Sequence, residues 1–420
     1  MLTGTAAQAR TALDVPGTRI TPLLPELLGI RDTLRAGVRS ASIAYIGDST
    51  ANDIGDIPYR WAQMIATKYP AYTVKAALWH TSGYYNDATT LQTGTAGEAY
   101  FDLDASGVMG LPNAKVPTPT AGTLVFVFDG TRADWSSSAQ WFAKPGTNDN
   151  AFKIWLSSNK VYFQWSEDGV TFGKTMTSNT LPACFTAGSR NKVKITFVVS
   201  TSTITFHYWN VNTWTQISTS TLSAPATIFN STAQWTLYGN GRWYSASLTV
   251  NGGNVFPQLI GDWIDNTITG HTTRGGAPEL MVYCAGFAGY STSNWTSDAL
   301  LKTVLASPLL KVVCVGLGLN DFTWVDAAED GYRAALNTKI KTYTPAGIAW
   351  IVQNPATSLF QNWWHHHQRC GELPSWATRN GCGCVSIYRA FINVATWATT
   401  LIADDGIGAH PNADGYTLCG

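Results

Sequence analysis

The chain has 420 residues, of which 45% are hydrophobic and 13% charged, and its 27 basic residues balance 27 acidic ones. The charged share is well below the ~25% usual in globular proteins. Without an excess of basic residues we expect no nucleic-acid binding. No run of about 18 apolar residues occurs, so we expect no transmembrane helix. The length is enough for two to three domains.

Residues 1–38 are predicted to be a short leader with one helix over residues 5–13. The segment Thr3-Gly4-Thr5-Ala6-Ala7 resembles the joints of bacteriophage tail-fibre proteins. The leader lacks the basic start and apolar stretch of a signal peptide. The resemblance implies a phage tail protein of the virion that is released by lysis and acts outside the cell on the host surface. Such a protein is expected to form a homotrimer or to attach to other tail proteins; the alternative is an ordinary frayed terminus.

The first apolar strand ends close to a serine. Ser42–Ile46 predicts a buried strand of a parallel sheet, and Tyr59–Tyr69 has the periodicity of a helix. Ser49 is expected on the strand-to-helix turn between them, where α/β proteins place their chemistry. At the start of a helix, exposed backbone N–H groups favour negative charge. The structural alternative is that Ser49 is only a helix N-cap.

Residues 91–254 are predicted to form an all-β domain. Short segments of alternating apolar and polar residues are separated by turn-forming residues, a pattern typical of an antiparallel sandwich. Val161–Gly169 and Trp243–Val250 resemble strands of the laminin-G and concanavalin-like jelly-roll sandwiches. That resemblance implies a lectin-like domain. The 18 Trp of the chain either fill the cores of such sheets or form exposed platforms for sugars.

After residue 255, strands and helices alternate again. The predicted strands and helices are, in order, Glu279–Cys284, Ser297–Leu305, Lys311–Leu317, Tyr332–Thr342 and Gly347–Val352. Alternation of this kind predicts a parallel sheet with right-handed crossovers. We therefore expect one discontinuous α/β domain, residues 39–90 plus 255–420, with residues 91–254 inserted into it.

Gly47-Asp48-Ser49 resembles the first sequence block of the SGNH (GDSL-type) hydrolases. The lipase-type Gly-x-Ser-x-Gly elbow does not fit, because its fifth position is Ala51. Gly286–Ser291 resembles the second block of the family and Gly318-Leu319-Asn320-Asp321 the third, in the family order. The resemblance implies a three-layer, flavodoxin-like α/β fold and a serine esterase that needs no cofactor.

Three groups are expected to stabilise a developing oxyanion: the backbone N–H of Ser49, the backbone N–H of Gly289 and the side-chain amide of Asn320. The family resemblance implies the roles of Gly289 and Asn320. A glycine at 289 also lets the substrate approach the backbone closely. Removing one such donor typically lowers the rate by ~10²–10³. Taken alone, Asn320-Asp321 is a common turn pair.

The base and the acid are expected near the end of the sequence, where Asp405 and His410 resemble the fifth block. A serine hydroxyl needs an imidazole to take its proton, and the imidazole needs a carboxylate to hold its tautomer. The family spacing is Asp-x-x-His, but Asp405 lies five residues before His410 and Ile407 stands at the family position. Asp405 is the expected acid, and Asp404 is the alternative.

His365–His367 and the cysteines at 370, 382 and 384 suggest zinc, but their spacing fits no closed structural site, and we expect no metal. The three histidines are expected in a loop near the active-site rim. Trp324, Trp363 and Trp364 are candidate platforms for sugar stacking. The seven cysteines are scattered and specify no disulfide framework.

The leading hypothesis is a serine esterase that removes O-acetyl groups from a bacterial surface polysaccharide. The predicted sandwich and the many aromatic residues indicate a carbohydrate-bearing substrate, and the family resemblance implies deacetylation. Two alternatives remain open. One is hydrolysis of lipid or cell-envelope acyl esters, and the other is a non-catalytic receptor-binding protein that recognises a glycan.

Overall fold

The computed structural model describes residues 30, 33–37, 39–104, 107–113, 116–136, 139–255, 272–307, 310–321, 326–344, 348–353, 363–403 and 410–419. Almost all of the predicted leader, residues 1–38, therefore lies outside the described residues, as does its tail-fibre-like segment. Within it, residues 33–36 are helical. None of the described helices is both long enough and apolar enough to cross a membrane.

The first half of the described chain is mainly β-structure. Its elements are β1 (Ala41–Gly47), α1 (Ile57–Lys68), β2 (Thr73–Leu78), β3 (Thr89–Gln92), β4 (Tyr100–Leu103), β5 (Val108–Leu111), β6 (Thr123–Thr131), β7 (Ala139–Ala143), β8 (Phe152–Ser157), β9 (Lys160–Trp165), β10 (Lys174–Thr177), β11 (Arg190–Val198), β12 (Thr203–Asn210), β13 (Thr213–Thr221), β14 (Trp235–Tyr238), β15 (Gly241–Val250) and β16 (Gly253–Asn254).

In the second half, strands alternate with helices. The elements are β17 (Thr272–Gly275), β18 (Glu279–Gly286), a 3₁₀ helix (Thr292–Thr296), α2 (Asp298–Val304), β19 (Leu310–Gly316), α3 (Asp326–Tyr343), β20 (Trp350–Gln353), α4 (Trp363–Arg379), β21 (Gly383–Ser386), α5 (Ile387–Ile392), α6 (Trp397–Thr400) and α7 (Ala413–Cys419).

Seven strands form one sheet in the order β21-β20-β19-β1-β18-β2-β3. All of its pairings are parallel except the pairing of β2 with the edge strand β3. The expected parallel sheet is therefore present, and the α/β class is confirmed. β1 lies between β18 and β19, and Gly47 at its end is in register with both Gly286 and Gly316. Parallel strands end at the same edge, so the loops after these three strands meet there.

Helices pack on both faces of this sheet because alternate residues of its strands point to opposite sides. Tyr45 of β1 belongs to a core that includes Ala62 of α1 and Phe391 of α5. Its neighbour Ile46 belongs to another core, which includes Leu336 of α3. The sheet is buried on both faces, as its near-continuous apolar strands indicate.

The remaining strands form two antiparallel sheets that face each other. One has the order β10-β9-β8-β7-β14-β5, and the other has the order β13-β12-β11-β6-β15-β4-β17 with β16 paired to β15. Aromatic rings meet between them: Phe126 lies 5.9 Å from Phe142, and Phe163 lies 5.4 Å from Phe197. The fully buried tryptophans Trp141, Trp165 and Trp235 belong to this same core. These Trp therefore fill a core and do not bind sugars.

Two local expectations are wrong. Ser49 does not begin a helix, because residues 48–56 form a loop and α1 starts at Ile57, where Pro58 suits a first helical turn. His365–His367 lie in helix α4 and not in a loop. Pro374, a residue type that usually breaks a helix, is accommodated inside the same helix.

Candidate active site

Ser49 and His410 meet although they lie 361 positions apart in the sequence. The Ser49 Oγ lies 2.7 Å from Nε2 of His410, a hydrogen-bond distance. Both side chains are half-buried, so a ligand can reach them. The backbone around His410 is tied down, because its carbonyl accepts a hydrogen bond from the Ala403 N–H at 2.9 Å. The arrangement has the nucleophile–base geometry of a serine hydrolase.

The loop that carries Ser49 is held by two buried carboxylates. Oδ1 of Asp48 accepts hydrogen bonds from the backbone N–H and the hydroxyl of Thr50, at 3.0 and 2.9 Å. Oδ2 of Asp56 accepts the N–H groups of Asn52 and Asp53, at 2.9 and 2.8 Å. Burial raises the pKa of Asp56, although these hydrogen bonds act in the opposite direction. These hydrogen bonds fix the loop that carries Ser49.

The end of β18 approaches this loop so closely that only glycine fits. A Cβ on Gly286 would lie 2.5 Å from the carbonyl oxygen of Ala51. The next residue, Phe287, donates its backbone N–H to the carbonyl of Gly47 at 3.3 Å. The second sequence block is thereby fixed against the strand that ends at the nucleophile.

Gly289 lies in the exposed turn after β18. Its φ of +77° falls in the left-handed region that favours glycine, and no other atom lies within 4 Å of where a Cβ would stand. Its backbone conformation, and not crowding, therefore explains the glycine. The open space beside it is consistent with access by a substrate.

Asn320 lies in the turn after β19 and is half-buried. Its Nδ2 donates a hydrogen bond to the carbonyl of Tyr290 at 3.1 Å, which leaves the second amide hydrogen for another acceptor. The neighbouring Asp321 is buried and accepts the N–H and the hydroxyl of Thr292, at 2.9 and 2.7 Å. The second and third sequence blocks are thus joined by hydrogen bonds at the same edge of the sheet.

An ion cluster beneath this turn was missed by the sequence analysis. Nη1 of Arg369 donates to the carbonyl of Gly318, and Nε of Arg369 lies 3.2 Å from a carboxylate oxygen of Glu329. Arg333 also contacts this carboxylate. All three side chains are at most 6% exposed. The sequence shows only that Glu329 and Arg333 are four residues apart, a spacing that allows an ion pair on a helix. Nothing in the sequence indicates that Arg369 contacts Gly318.

Some of the other expected site residues lie within the described ranges, and others do not. Asp404, Asp405 and Trp324 lie outside the described residues, so the acid of the triad stays a prediction. Trp363 and Trp364 fall in helix α4. His366 in the same helix is buried, with Nε2 3.7 Å from the Cys370 sulfur. Within the described ranges, no group of three or more His, Cys, Asp or Glu is arranged to hold a metal ion.

No family model and no curated protein matches the sequence. Among solved structures, a peptidoglycan O-acetylesterase aligns over 95% of each chain, with 11% identity and a TM-score of 0.41. A lipolytic protein of the G-D-S-L family from Veillonella parvula aligns over 33% of this chain and 76% of its own, with 16% identity and a TM-score of 0.27. Mouse laminin alpha1 domains align over 44% of this chain and 48% of theirs, with 11% identity and a TM-score of 0.29. These similarities are remote, so a functional assignment depends on the site itself.

Proposed function

We propose that the chain is a serine esterase of the SGNH type, with Ser49 as nucleophile and His410 as its base. The observation that carries the proposal is the 2.7 Å contact between Ser49 Oγ and His410 Nε2 at the carboxyl edge of the parallel sheet. Ligands of open α/β sheets bind at this edge. Two further blocks of the SGNH pattern follow the two strands that flank β1.

In the proposed reaction, Nε2 of His410 takes the hydroxyl proton as Ser49 Oγ attacks the ester carbonyl. The resulting oxyanion accepts hydrogen bonds from the N–H groups of Ser49 and Gly289 and from the Asn320 amide. The protonated imidazole then gives its proton to the leaving alcohol, and an acyl-enzyme remains. Water activated by His410 attacks this ester and releases the carboxylic acid. Asp405, or alternatively Asp404, is proposed to hold the imidazole.

The sheet order supports a flavodoxin-like hydrolase domain. When β2 is set aside, the parallel strands β1, β18, β19, β20 and β21 lie in the order 2-1-3-4-5, which is the flavodoxin-like order. The strands of the two antiparallel sheets fall between β3 and β18 along the chain. We propose that residues 39–90 plus 255–420 form the hydrolase domain and that residues 91–254 are a lectin-like insert. At these boundaries, β3 continues the seven-stranded sheet to Gln92, and β17 (Thr272–Gly275) pairs with β4 of the insert.

The proposed substrate is an O-acetylated polysaccharide of a bacterial surface, and the proposed location is a phage tail. The sandwich, the aromatic residues and the tail-fibre-like leader support this choice. A lipid or cell-envelope acyl ester is the second candidate substrate. A glycan-binding protein without activity is the third candidate function, and the Ser49–His410 contact argues against it.

The test is acetate release from a panel of acetylated bacterial polysaccharides by the wild-type protein and by Ser49→Ala. We expect release by the wild type and a loss of at least about 10⁴-fold in the variant, as for other catalytic serines. Ser136→Ala, an exposed serine of the sandwich, is the matched control and should behave as the wild type. Undiminished release by Ser49→Ala would remove Ser49 from the mechanism. Absence of labelling by a fluorophosphonate probe would favour the non-catalytic function.

A further inference from the structure

A row of half-buried aromatic rings lies beside the candidate site, at the ends of β2 and β18. Tyr290 stacks on Phe287 with ring centroids 4.5 Å apart and planes inclined by 16°. Phe287 in turn lies 5.5 Å from Trp79, the residue that follows β2. All three side chains are partly exposed. The row therefore offers ring surface to a ligand.

The row is fixed to the strand that leads to Ser49. The carbonyl of Gly47 accepts the Phe287 N–H at 3.3 Å and the indole N–H of Trp295 at 3.2 Å. Trp295 is fully buried and packs against two rings of the row, with its ring centroid 5.3 Å from that of Phe287 and 6.0 Å from that of Tyr290. Since Tyr290 also accepts the Asn320 amide through its carbonyl, the row begins at the proposed oxyanion donors.

Polar groups flank the row at both ends. Near Trp79, Nδ1 of His80 lies 2.7 Å from the hydroxyl of Ser82. Near Tyr290, the hydroxyls of Ser291 and Ser293 lie 3.0 Å apart. Binding sites for small molecules commonly combine aromatic walls with a few hydrogen-bonding groups. A pyranose suits such a site, because it presents an apolar C–H face and a rim of hydroxyl groups.

We propose that Trp79, Phe287 and Tyr290 form a subsite for a sugar ring of the acetylated glycan. This inference rests on the proposed esterase and specifies its substrate class. A fatty acyl chain is disfavoured as the occupant, because it gains most from enclosure by apolar groups, whereas these rings are partly exposed and have polar neighbours. Ring truncation should therefore weaken the binding of sugar-borne esters more than that of simple esters.

The kinetic test compares the wild type with Trp79→Ala, which removes the ring farthest along the row from Asn320. The substrates are chemically O-acetylated chitopentaose and xylopentaose, p-nitrophenyl acetate and p-nitrophenyl palmitate. For whichever oligosaccharide the wild type turns over, we expect KM to rise about tenfold, the size typical of losing a central aromatic contact. The decrease in kcat/KM that Trp79→Ala causes for p-nitrophenyl acetate should be at least about fivefold smaller than the decrease for that oligosaccharide. Trp79→Tyr keeps a ring and should recover most of the loss.

Met64→Ala, which removes a 46% exposed apolar side chain of helix α1, is the control and should leave these constants unchanged. Three results would overturn the subsite: equal losses on the acetate ester and the oligosaccharides, a KM increase confined to p-nitrophenyl palmitate, or no saturable turnover of either oligosaccharide by a protein that hydrolyses p-nitrophenyl acetate. The palmitate result would assign the row to an acyl chain.

Calorimetric binding separates failure of the subsite from failure of the esterase. The same oligosaccharides are titrated into Ser49→Ala and into the Ser49→Ala, Trp79→Ala double variant. We expect the Kd to be about tenfold higher in the double variant, and an equal Kd in both proteins contradicts the subsite. Hydrolysis during the titration of Ser49→Ala contradicts the esterase assignment instead, and leaves the difference in Kd as a valid measure of the subsite.

Discussion

Arg369 holds the turn that carries Asn320 by a 2.7 Å hydrogen bond from Nη1 to the carbonyl oxygen of Gly318, 51 residues away in the sequence. The same carbonyl accepts the N–H of Asp321 at 3.3 Å, which closes the turn. Glu329 orients the guanidinium from helix α3. Two helices thus fix the backbone from which the Asn320 amide projects.

We therefore predict that Arg369→Met lowers kcat for p-nitrophenyl acetate by ~10-fold to 10²-fold. Misplacing the Asn320 amide cannot lower the rate by more than removing it would, and the loss of one oxyanion donor lowers the rate by ~10²–10³-fold. Asn320→Ala should lower kcat by that full factor, and the Arg369→Met, Asn320→Ala double variant should have the same kcat as Asn320→Ala alone. Kinetics of the four proteins give the coupling between the two residues, and Arg369→Lys should restore part of the rate.

Arg379→Met, on the same helix but 64% exposed, is the control and should keep the wild-type rate. If the losses from Arg369→Met and Asn320→Ala multiply, Arg369 acts independently of Asn320. Thermal melting of each variant shows whether a lower rate reflects unfolded protein.

The Thr292–Asp321 pair is predicted to stabilise the fold. Asp321 is 1% exposed and accepts both the N–H and the hydroxyl of Thr292. Thr292→Val removes the hydroxyl and leaves a buried carboxylate short of one partner, which should lower the free energy of unfolding by about 1–3 kcal/mol. Urea titration measures the change. Thr219→Val, on an exposed strand position, is the control and should change stability by less than ~0.5 kcal/mol.

Lys144 is predicted to make stability depend on pH. Its side chain is fully buried, with Nζ 2.6 Å from Oδ1 of Asn113 and 4.6 Å from the ring centre of Trp235. Burial lowers the pKa of Lys144 to about 7, against ~10.4 in an unfolded chain. Between these values the folded state binds fewer protons than the unfolded state, so the free energy of unfolding should rise with pH across this window.

Urea titrations of the wild type at several pH values from 6.5 to about 10 measure this dependence, and Lys144→Met should lose the part of the slope that Lys144 contributes. Lys160→Met, on a half-buried residue at the start of β9, should keep the wild-type slope. Parallel slopes for the wild type and Lys144→Met would contradict the assignment.

One thiol is predicted to react in the native protein. Cys184 is exposed, and the other six cysteines are buried. Burial also raises the pKa of Cys382 to about 11 and of Cys384 to about 12, so little thiolate forms at neutral pH. A chromogenic disulfide reagent should therefore titrate one thiol per native chain and seven after unfolding in guanidinium. Cys184→Ser should show none in the native state, and fast reaction of a second thiol would contradict the burial.

Local patterns predicted the α/β class, and the resemblance to the SGNH sequence blocks implied the approach of Ser49 to His410. Gly47-Asp48-Ser49 and Asn320 each follow a strand. An apolar run in the sequence marks such a strand even when the order of the strands in the sheet is unknown. The expectation that Ser49 begins a helix is wrong because the loop held by Asp56 depends on backbone N–H contacts that no periodicity reveals. The acid of the triad, Asp405, lies outside the described residues and remains a prediction.

Long-range features could not be predicted in the same way. Trp79 and Phe287 become neighbours because β2 and β18 pair, and that pairing joins segments separated by the whole of the two antiparallel sheets. Arg369 reaches Gly318 only through the packing of α4. A single sequence reports which residues have suitable chemistry, but strand order and helix docking decide which of them meet.

The separation of Ser49 from His410 also sets when the proposed catalytic pair can form during synthesis. His410 follows Ser49 by 361 positions, and at ribosomal rates of about 5–20 residues per second this stretch takes roughly 20 to 70 s to make. Helix α7 follows His410, and the carbonyl of Cys419 at its end accepts the indole N–H of Trp61 at 3.0 Å, so the last turn of α7 docks on α1. During that interval the proposed nucleophile lacks its proposed base, so we expect no ester hydrolysis by the nascent chain.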